Sequence, residues 1–341
     1  MGGHRWEMSG VKISDVASLA GVSAMTVSRV VNGRGAVNPE TRQRVEAAVR
    51  TLGYTPNAAA RKLATGQTDR IGLIYSNPSP GYLSQVLLGA LAGARRVGAQ
   101  LIVEPCFDGP EGEGEALDRL AGGGVRAVIL PPPHGESPDA LSRASALGMK
   151  VAAIGAPAGP DGRLTVRIDD QAAAAAMTVF LLGLGHRRLG FVCGAPDQSA
   201  SAEREAGFRQ ALDGQDGAAG FVEAGDFTYR SGLNAAERLL DLPTPPTAIF
   251  ASNDEMASAV IAVAHRRGLD VPRDLTVAGF DDTAVATSIW PALTTVRQPI
   301  AAMAEAAAVL LVSGDQGRRG EAGVHLLDFE IIGRESSGST M

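Results

Sequence analysis

The sequence predicts a small all-α head followed by an α/β core of two lobes, each built on a doubly wound parallel sheet. Three observations predict this fold class. Short amphipathic segments with helix-capping residues fill residues 13–52, and apolar runs of four to seven residues alternate with helical segments from Ile71 onwards. The second region is about 270 residues long, which exceeds the size that one hydrophobic core usually serves.

The composition is that of a globular protein with a basic N-terminal part. The 341 residues are 45% hydrophobic and 20% charged, with a mean hydropathy of +0.05 and a formal net charge of −6. Residues 1–66 hold nine Lys or Arg and four acids, a net charge of +5, whereas the remaining 275 residues hold 22 and 33, a net charge of −11. This asymmetry favours a nucleic-acid-binding head on an acidic body; a solvated basic face is the alternative.

The first two predicted helices have the spacing of a helix-turn-helix. Residues 13–20 (ISDVASLA) form one helix, Gly21 lies in a tight turn, and Ser23 caps a second helix that starts at Ala24. The apolar face of this second helix holds Val27, Val30 and Val31, and the opposite face holds Met25, Ser28, Arg29 and Asn32. Such a helix fits the major groove of DNA, where Arg29 is the best candidate to bond to guanine. The alternative is that Ser28 and Arg29 contact phosphates only.

A third helix and an unusual short segment complete the head. Asn38 caps the third helix, Pro39 takes its first position, and the helix runs to Leu52. Residues 53–70 (GYTPNAAARKLATGQTDR) contain a further short helix that would be marginal alone in water. Leu63, between basic residues, could enter the minor groove as an apolar wedge; an ordinary linker is the alternative.

The core pattern is one of apolar strands joined by helices. Strands are predicted at residues 71–75, 100–104, 127–131, 151–155, 189–193, 247–252 and 275–280. Helices are predicted at residues 82–98, 170–185, 202–213, 229–240, 254–268 and 300–313. Continuous apolar strands joined by helices indicate parallel sheets that are covered on both faces.

Ligands of such sheets bind beyond the carboxyl ends of the strands, and polar and aromatic residues lie there in this sequence. The candidates are Ser76, Tyr82, Arg204, Phe227, Asn253 and Asp281. Each of them singly could be a cap or a surface residue. Asp281 could accept hydrogen bonds from ligand hydroxyls while Arg204 donates, or it could cap the turn that follows it.

Motifs for catalysis or metal binding do not accompany these candidates. The sequence contains no GxxxxGK[ST], HExxH or GxSxG pattern, and its five histidines lack metal-ligand spacing. We therefore expect a protein without enzymatic activity, cofactor or metal. The glycines of residues 109–117 (GPEGEGEAL) lie among acids that would repel a phosphate, so this stretch is predicted to be a loop leading into a helix.

The cysteine content and hydropathy indicate the compartment. Cys106 and Cys193 lie far apart in apolar, strand-like surroundings, which fits a reducing environment. No signal peptide and no run of 18 apolar residues occurs. We expect a cytoplasmic protein without contact to a membrane.

Seven motifs, in colinear order, resemble those of the lactose-repressor/galactose-repressor (LacI/GalR) family. They are ISDVASLAGVSAMTVSRVVNG (13–33), YTPNAAARKLATG (54–66), LGHRRLGFV (184–192), AEREAGF (202–208), ASNDEMA (251–257), VAGFDDT (277–283) and WPALTTVRQP (290–299). The resemblance covers nearly the whole chain, from about residue 12 to Glu335.

The resemblance implies a homodimeric transcription factor, most often a repressor, whose binding to a pseudo-palindromic operator is controlled by a sugar-like effector. It implies a helix-turn-helix domain at residues 12–56, a hinge helix at 57–66 and a periplasmic-binding-protein-like core at 67–341. Lobe one would comprise about 67–168 and 299–323, and lobe two about 169–298 and 324–341. The implied DNA contacts are Ser23, Ala24, Met25, Thr26, Ser28, Arg29 and Asn32 of the second helix, with Asn57, Ala60, Arg61 and Leu63 of the hinge. Arg204, Phe227, Asn253 and Asp281 match effector-contacting positions.

The sequence departs from the family pattern at two places in lobe one. Gly155-Ala156 stand where an aspartate–arginine pair is common, and SPGYL (79–83) replaces an Asn-Pro-aromatic-aromatic run, so the identity of the effector stays open. The last residues lack leucine heptads, so we expect a dimer and not a tetramer. In some family members the effector releases the protein from DNA, and in others it promotes DNA binding. Both responses are compatible with this sequence.

Two other functions are alternatives to this one. A non-regulatory solute-binding protein of the periplasmic sugar-binding type would share the core, but it needs an export signal and no basic head. A metabolic α/β enzyme would need a catalytic constellation, and none is found in the sequence.

Overall fold

The computed structural model describes residues 13–31, 37–52, 69–106, 109–159, 163–314 and 323–340. The chain forms two compact units, Met1–Gln67 and Thr68–Met341. The hinge segment 57–66 lies outside the described residues.

The three predicted helices of the head are confirmed. They are α1 (Ile13–Ala20), α2 (Ala24–Val31) and α3 (Pro39–Leu52). Val16, Val27 and Val45, one from each helix, are fully buried in a common small core. The turn between α1 and α2 places Gly21 at φ +64°, a conformation that glycine adopts without a steric cost.

The second unit contains two six-stranded sheets. The first sheet has the order β11-β5-β4-β3-β1-β2, and every neighbouring pair is parallel. Its strands are β1 (Arg70–Tyr75), β2 (Gln100–Pro105), β3 (Ala127–Leu130), β4 (Lys150–Ile154), β5 (Leu164–Arg167) and β11 (Val324–Leu326). Its helices are α4 (Pro80–Arg96), α5 (Gly109–Gly122), α6 (Pro138–Ala146) and α12 (Ile300–Ser313). We call this sheet with its helices the first lobe.

The second lobe is organised in the same way, with the sheet order β12-β10-β9-β8-β6-β7. Its strands are β6 (Arg188–Val192), β7 (Ala219–Glu223), β8 (Ala248–Ala251), β9 (Thr276–Asp281), β10 (Thr294–Arg297) and β12 (Glu330–Ile332). Its helices are α7 (Asp170–Gly183), α8 (Ser199–Leu212), α9 (Tyr229–Leu240), α10 (Asp254–Arg266) and α11 (Val285–Ser288). The edge strand β12 pairs antiparallel with β10, and the other pairs are parallel.

Helices cover both faces of each sheet, as the continuous apolar strands predict. In β1, Leu73 packs in one core cluster and its neighbour Ile74 packs in another, because successive side chains of a strand point to opposite faces. The helix pair α4 and α12 approaches closely at Gly89, where an added Cβ atom would lie 2.0 Å from the Ala301 carbonyl oxygen. Glycine is therefore required there by packing.

Short crossovers at residues 168–169, 298–299 and 327–329 join the two lobes. The prediction that residues 324–341 belong to the second lobe is wrong at its start, since β11 pairs with β5 in the first sheet. The open edge of β5 offers unpaired backbone groups, and the chain that follows α12 satisfies them before it crosses over.

The prediction of a loop at residues 109–117 is also wrong. Helix α5 begins at Gly109, and its residues Ala116, Leu117 and Leu120 are buried against the first sheet. This burial stabilises the helix despite its glycines, because tertiary packing outweighs the lower helix propensity of glycine.

Candidate functional site

A cavity lies between the two lobes, at the carboxyl ends of the strands. Its space is about 440 Å³ when the part open to solvent is included. The first lobe contributes Asn77, Ser79, Tyr82, Pro132 and Gly155. The second lobe and the crossover contribute Asp170, Gln198, Ala200, Arg204, Phe227, Asn253, Asp281 and Gln298.

Arg204 is the cation of this cavity. It extends from α8, and its Nε donates to Asp170 at 2.8 Å while its Nη1 donates to the Ser252 carbonyl at 2.6 Å. Its guanidinium carbon lies 3.6 Å from the ring centroid of Phe280, a cation–π geometry. Among the described residues, Nη2 of Arg204 has no hydrogen-bond partner. Because Nε and Nη1 hold the guanidinium group in place, Nη2 can donate a hydrogen bond to a ligand.

Asp281 is the acceptor that faces Arg204. It ends β9, is only 4% exposed, and its Oδ1 accepts from Gln298 Nε2 at 2.5 Å and lies 3.9 Å from Arg204 Nη1. Burial raises the pKa of Asp281 well above its ordinary value of 3.8, although the Arg204 charge opposes this rise. Its φ of +109° is costly for a residue other than glycine, and such strain is typical of functional sites.

Asn253 and Phe227 form a connected pair. Asn253 caps α10 by accepting from the Met256 backbone N at 2.9 Å, and its Nδ2 donates to the Phe227 carbonyl at 2.9 Å. Phe227 has φ +68°, so the amide of Asn253 helps to hold a strained backbone whose ring lines the cavity. Gly194 makes room for that ring, since an added Cβ atom would lie 2.0 Å from its Cζ.

Tyr82 is an aromatic residue of the first lobe that lines the cavity. Its side chain is buried, and burial raises the pKa of its hydroxyl, with the negative Asp281 adding to the rise. The Tyr82 hydroxyl has no hydrogen-bond partner among the described residues. Gly155, at φ +70°, leaves the space beside this hydroxyl open.

Two further carboxylates lie behind the cavity at the start of α10. Asp254 accepts from Thr283 N at 2.7 Å and from Thr295 Oγ1 at 2.6 Å, and burial raises the pKa of Asp254 to about 7. Glu255 accepts from Ser79 Oγ at 2.7 Å, which joins the two lobes. Asp254 thus holds the turn that follows Asp281, since Thr283 donates to it. These contacts do not support the alternative that Asp281 caps this turn.

The exposed face of α2 is the second candidate site. The Ser23 side chain caps the helix by accepting from Thr26 N at 3.1 Å, and Ala24, Met25 and Arg29 are exposed, with 67% exposure for Met25. The predicted division of the helix into a packed and a free face is therefore confirmed for these residues. The Ser28 side chain, Asn32, Asn57, Ala60, Arg61 and Leu63 lie outside what the structure describes.

Two family descriptions match separate parts of the chain. Residues 12–57 match the bacterial regulatory proteins of the lacI family, and residues 178–337 match a periplasmic binding protein-like domain. Among similar proteins, the HTH-type transcriptional regulator CelR of Thermobifida fusca is 36% identical over 94% of this chain and 96% of its own length. The chain belongs to the lacI family. Another relative, the HTH-type transcriptional repressor CytR of Escherichia coli (strain K12), is 31% identical over 95% of this chain and 96% of its own.

Solved structures of similar proteins cover the whole lacI-family architecture. The CelR–cellobiose complex superimposes with a TM-score of 0.71 and 33% identity, over 96% of this chain and 100% of that one. The lac repressor dimer bound to operator and the anti-inducer ONPF gives a TM-score of 0.70 and 27% identity, over 97% and 100%. The fold class predicted from the sequence, a helical head and a periplasmic-binding-protein-like core, is thereby confirmed.

In this lacI-family chain, the cavity gathers five of the six predicted ligand residues. Ser76 is the exception, because the chain after β1 presents Asn77 and Ser79 to the cavity instead. Asn77 fixes this path, since its Nδ2 donates to the Pro132 carbonyl at 3.0 Å and its Oδ1 accepts from Ser79 N at 2.8 Å.

Several other residues that line the cavity of this lacI-family protein were not predicted from its sequence. They are Asn77, Ser79, Asp170, Gln198 and Gln298. A signal existed for Ser79 and Asp170, since Ser79 precedes a proline as an N-cap does and Asp170 opens a predicted helix.

Among the residues that the structure describes, no cluster of three or more His, Cys, Asp or Glu side chains could hold a metal ion. In the same residues, no helix is both long and apolar enough to cross a membrane. Neither Cys106 nor Cys193 forms a disulfide, and each follows the end of a strand.

Proposed function

We propose that this protein is a homodimeric transcriptional regulator that acts as a repressor. In this proposal its operator binding responds to an uncharged sugar-like effector between the lobes. The observation that carries the proposal is the inter-lobe cavity with its fixed Arg204 donor, Asp281 acceptor and Phe227 ring, in a chain that also has the exposed α2 face. Hydroxyl groups both donate and accept, so a polyol satisfies this pair.

The charge of the cavity supports a neutral effector. Arg204 is paired with Asp170, so the cavity has no unpaired positive charge to bind an anionic ligand group. Aromatic rings such as Phe227 stack on the apolar face of a sugar ring. CelR has been solved with cellobiose, so cellobiose is the first compound to test on this chain.

The head supplies the DNA contacts in this proposal. Arg29 and Met25 meet base edges in the major groove, with Ser23, Thr26 and the other contacts named above. The division into a DNA-binding domain at 12–56, a hinge at 57–66 and a core at 67–341 belongs to the same proposal, with Leu63 of each hinge kinking the operator centre. In this proposal the protein acts in the cytoplasm, where its DNA target is, and catalyses no reaction.

Exposed apolar side chains support pairing of two copies. Leu88 and Leu91, three residues apart on α4, are 64% and 54% exposed. Large apolar groups that stand on a surface together mark interaction sites. A two-fold dimer matches the symmetry of a pseudo-palindromic operator, and the lac repressor has been solved as a dimer on its operator.

The test measures DNA and effector together. An operator is first selected from random duplex DNA with the full-length protein, and its affinity is then measured with and without cellobiose and other neutral di- and monosaccharides. We expect a selected pseudo-palindrome whose affinity one of these sugars changes by about 5- to 150-fold, the usual range of allosteric coupling. The sign of the change identifies an inducer or a co-repressor. Sugar binding without any sequence preference for DNA would instead indicate a non-regulatory solute-binding protein.

A further inference from the structure

Helix α8, which carries Arg204, lacks a cap from its own lobe. Its N-cap residue Gln198 makes no capping hydrogen bond with its side chain. The neighbouring helices α7, α9 and α10 are capped within the second lobe by Asp169, Thr228 and Asn253. The first backbone N–H groups of a helix need such partners, so α8 must find one elsewhere.

The partner comes from the first lobe. The two carboxylate oxygens of Glu136 accept from the backbone N of Ser199, the first residue of α8, at 3.0 and 3.2 Å. A carboxylate at a helix N-terminus also interacts favourably with the helix dipole. Glu136 is half-buried, and burial raises the pKa of its carboxyl group. We call this contact the inter-lobe cap.

The loop that presents Glu136 is fastened to the first lobe. His134 Nδ1 and Glu113 Oε1 lie 2.6 Å apart, and Ser137 Oγ donates to Glu113 Oε2 at 2.5 Å. His134 and Glu113 are both buried. Glu136 lies between His134 and Ser137, which are both held by Glu113. The loop therefore stays with the first lobe when one lobe rotates against the other, and the hydrogen bonds between Ser199 and Glu136 break.

We propose that Glu136 is a positioning residue that stabilises the lobe arrangement seen here by capping α8 across the cleft, and that it thereby sets effector affinity without touching the effector. Five residues after Ser199, the same helix places Arg204 in the cavity. The part of this proposal that concerns the effector rests on the proposed function. The cap itself does not.

The test removes either side of the contact. Glu136→Ala deletes the acceptor, and Ser199→Pro deletes the N–H donor. Proline is well tolerated at the first helical position, and Gln198 already has the extended backbone, φ −113° and ψ 127°, that a residue before proline requires. Tyr229→Pro is the matched control, because it makes the same change at the start of α9, which Thr228 caps within the lobe.

Lobe separation is measured first, without effector, by spin labels on Ser145→Cys of α6 and Asn234→Cys of α9, both exposed positions. Labelled full-length chain is diluted with an excess of unlabelled chain so that one copy of each dimer carries labels. Native cysteines interfere little, since Cys106 is buried and burial raises the pKa of Cys193 to about 12.

We expect Glu136→Ala and Ser199→Pro each to shift the label-to-label distances, the double variant to shift them no further, and Tyr229→Pro to leave them unchanged. A merely structural role in α8 would lower the melting temperature without moving the labels. Unchanged distances in both single variants would overturn the inter-lobe cap.

Effector affinity is measured second, with the sugar that the operator experiment identifies. We expect Glu136→Ala to raise the apparent Kd by about 2- to 30-fold, the effect of losing one helix cap. Shifted labels with an unchanged Kd would overturn the link to affinity and leave the proposed function intact. If no sugar binds the parent protein, the proposed function fails while the label distances still decide whether the cap exists.

Discussion

Replacing Asp281 by asparagine tests the effector site most directly. The substitution keeps the size of the side chain and an oxygen that can accept from Gln298, which lies 2.5 Å from Oδ1. It replaces Oδ2 by an NH₂ group, and Oδ2 is the oxygen for which the described residues provide no hydrogen-bond partner. A ligand hydroxyl that donates to Oδ2 would then meet another donor.

The expected loss follows from burial. Asp281 is 4% exposed, so a ligand donor that loses this acceptor finds little water to replace it. An unpaired buried donor costs about 1–3 kcal/mol, which corresponds to about 5- to 150-fold weaker effector binding. The fold itself does not weaken at neutral pH. Burial raises the pKa of Asp281, so ionising it costs the folded state free energy that asparagine does not cost.

The assay is calorimetry on the parent and two variants, with and without the identified sugar. Asp282→Asn is the matched control, because Asp282 is the next residue, also has positive φ, and bonds to Arg297 at 2.7 Å and Arg334 at 2.6 Å outside the cavity. We expect Asp281→Asn to keep the melting temperature of the ligand-free protein and to lose most of the rise that sugar produces. Early melting with normal sugar affinity would refute the reasoning.

Four further substitutions test other parts of the molecule. Arg29→Ala should lower operator affinity by about 1–3 kcal/mol and relax the base preference at one position of each half-site; a uniform loss across sequences in a binding-site selection would reassign Arg29 to phosphates. Leu63→Ala should weaken specific binding more than non-specific binding, and bend angles equal to those of the parent would exclude the wedge. Gly194→Ala should weaken sugar binding measured by calorimetry, because its Cβ atom displaces the Phe227 ring; unchanged affinity would remove that ring from the site. Burial raises the pKa of Asp254 to about 7, so the folded chain holds a proton that the unfolded chain has released, and the free energy of unfolding should fall by about 1.4 kcal/mol per unit as pH rises from about 4 to about 7. Asp254→Asn should make that fall smaller in denaturant titrations at several pH values, while Asp281, whose pKa burial also raises, keeps its own contribution. A slope identical to that of the parent would contradict the assignment.

Six of the seven strands that the sequence predicts are largely buried, and the seventh, the edge strand β2, is partly exposed. Runs such as IGLIY and LTVAGF are continuous and apolar, and the structure places β1 and β9 within one residue of them at each end. Strands β5 (LTVR) and β10 (TTVR) were not predicted, because they are four residues long and mix threonine and arginine with valine. Such short polar runs become strands only because a sheet edge is present beside them.

Most of the predicted ligand residues line the cavity, and the position after β1 is the one that the sequence did not predict correctly. Strand ends predict where a ligand binds, and this rule located Arg204, Asn253 and Asp281. It missed by one residue at Ser76, because the direction of a loop depends on bonds to distant backbone, here the bond of Asn77 to Pro132. No local pattern in the sequence contains that information.

The two lobes contribute unequally to the cavity, and this inequality suggests how effector binding moves them. All the charged side chains that line the cavity, Asp170, Arg204 and Asp281, belong to the second lobe, so that lobe provides the stronger first contacts. The first lobe offers neutral groups to the cavity. Its side-chain contacts with the second lobe include two that we call bridges, Ser79 to Glu255 and Glu136 to Ser199. Arg167 to Glu203 and Gln85 to the Asp282 carbonyl are further contacts between the lobes.

Each bridge involves a carboxylate. Losing the cap on α8 costs about 0.5–2 kcal/mol, and losing a hydrogen bond to a charged group such as that of Ser79 to Glu255 costs about 1.5–3 kcal/mol. The usual allosteric coupling free energy is about 1–3 kcal/mol, so one bridge is as large as the whole effect of an effector. The balance between lobe arrangements is therefore set by few contacts. A single substitution at either bridge should change the DNA response as much as removing the effector does.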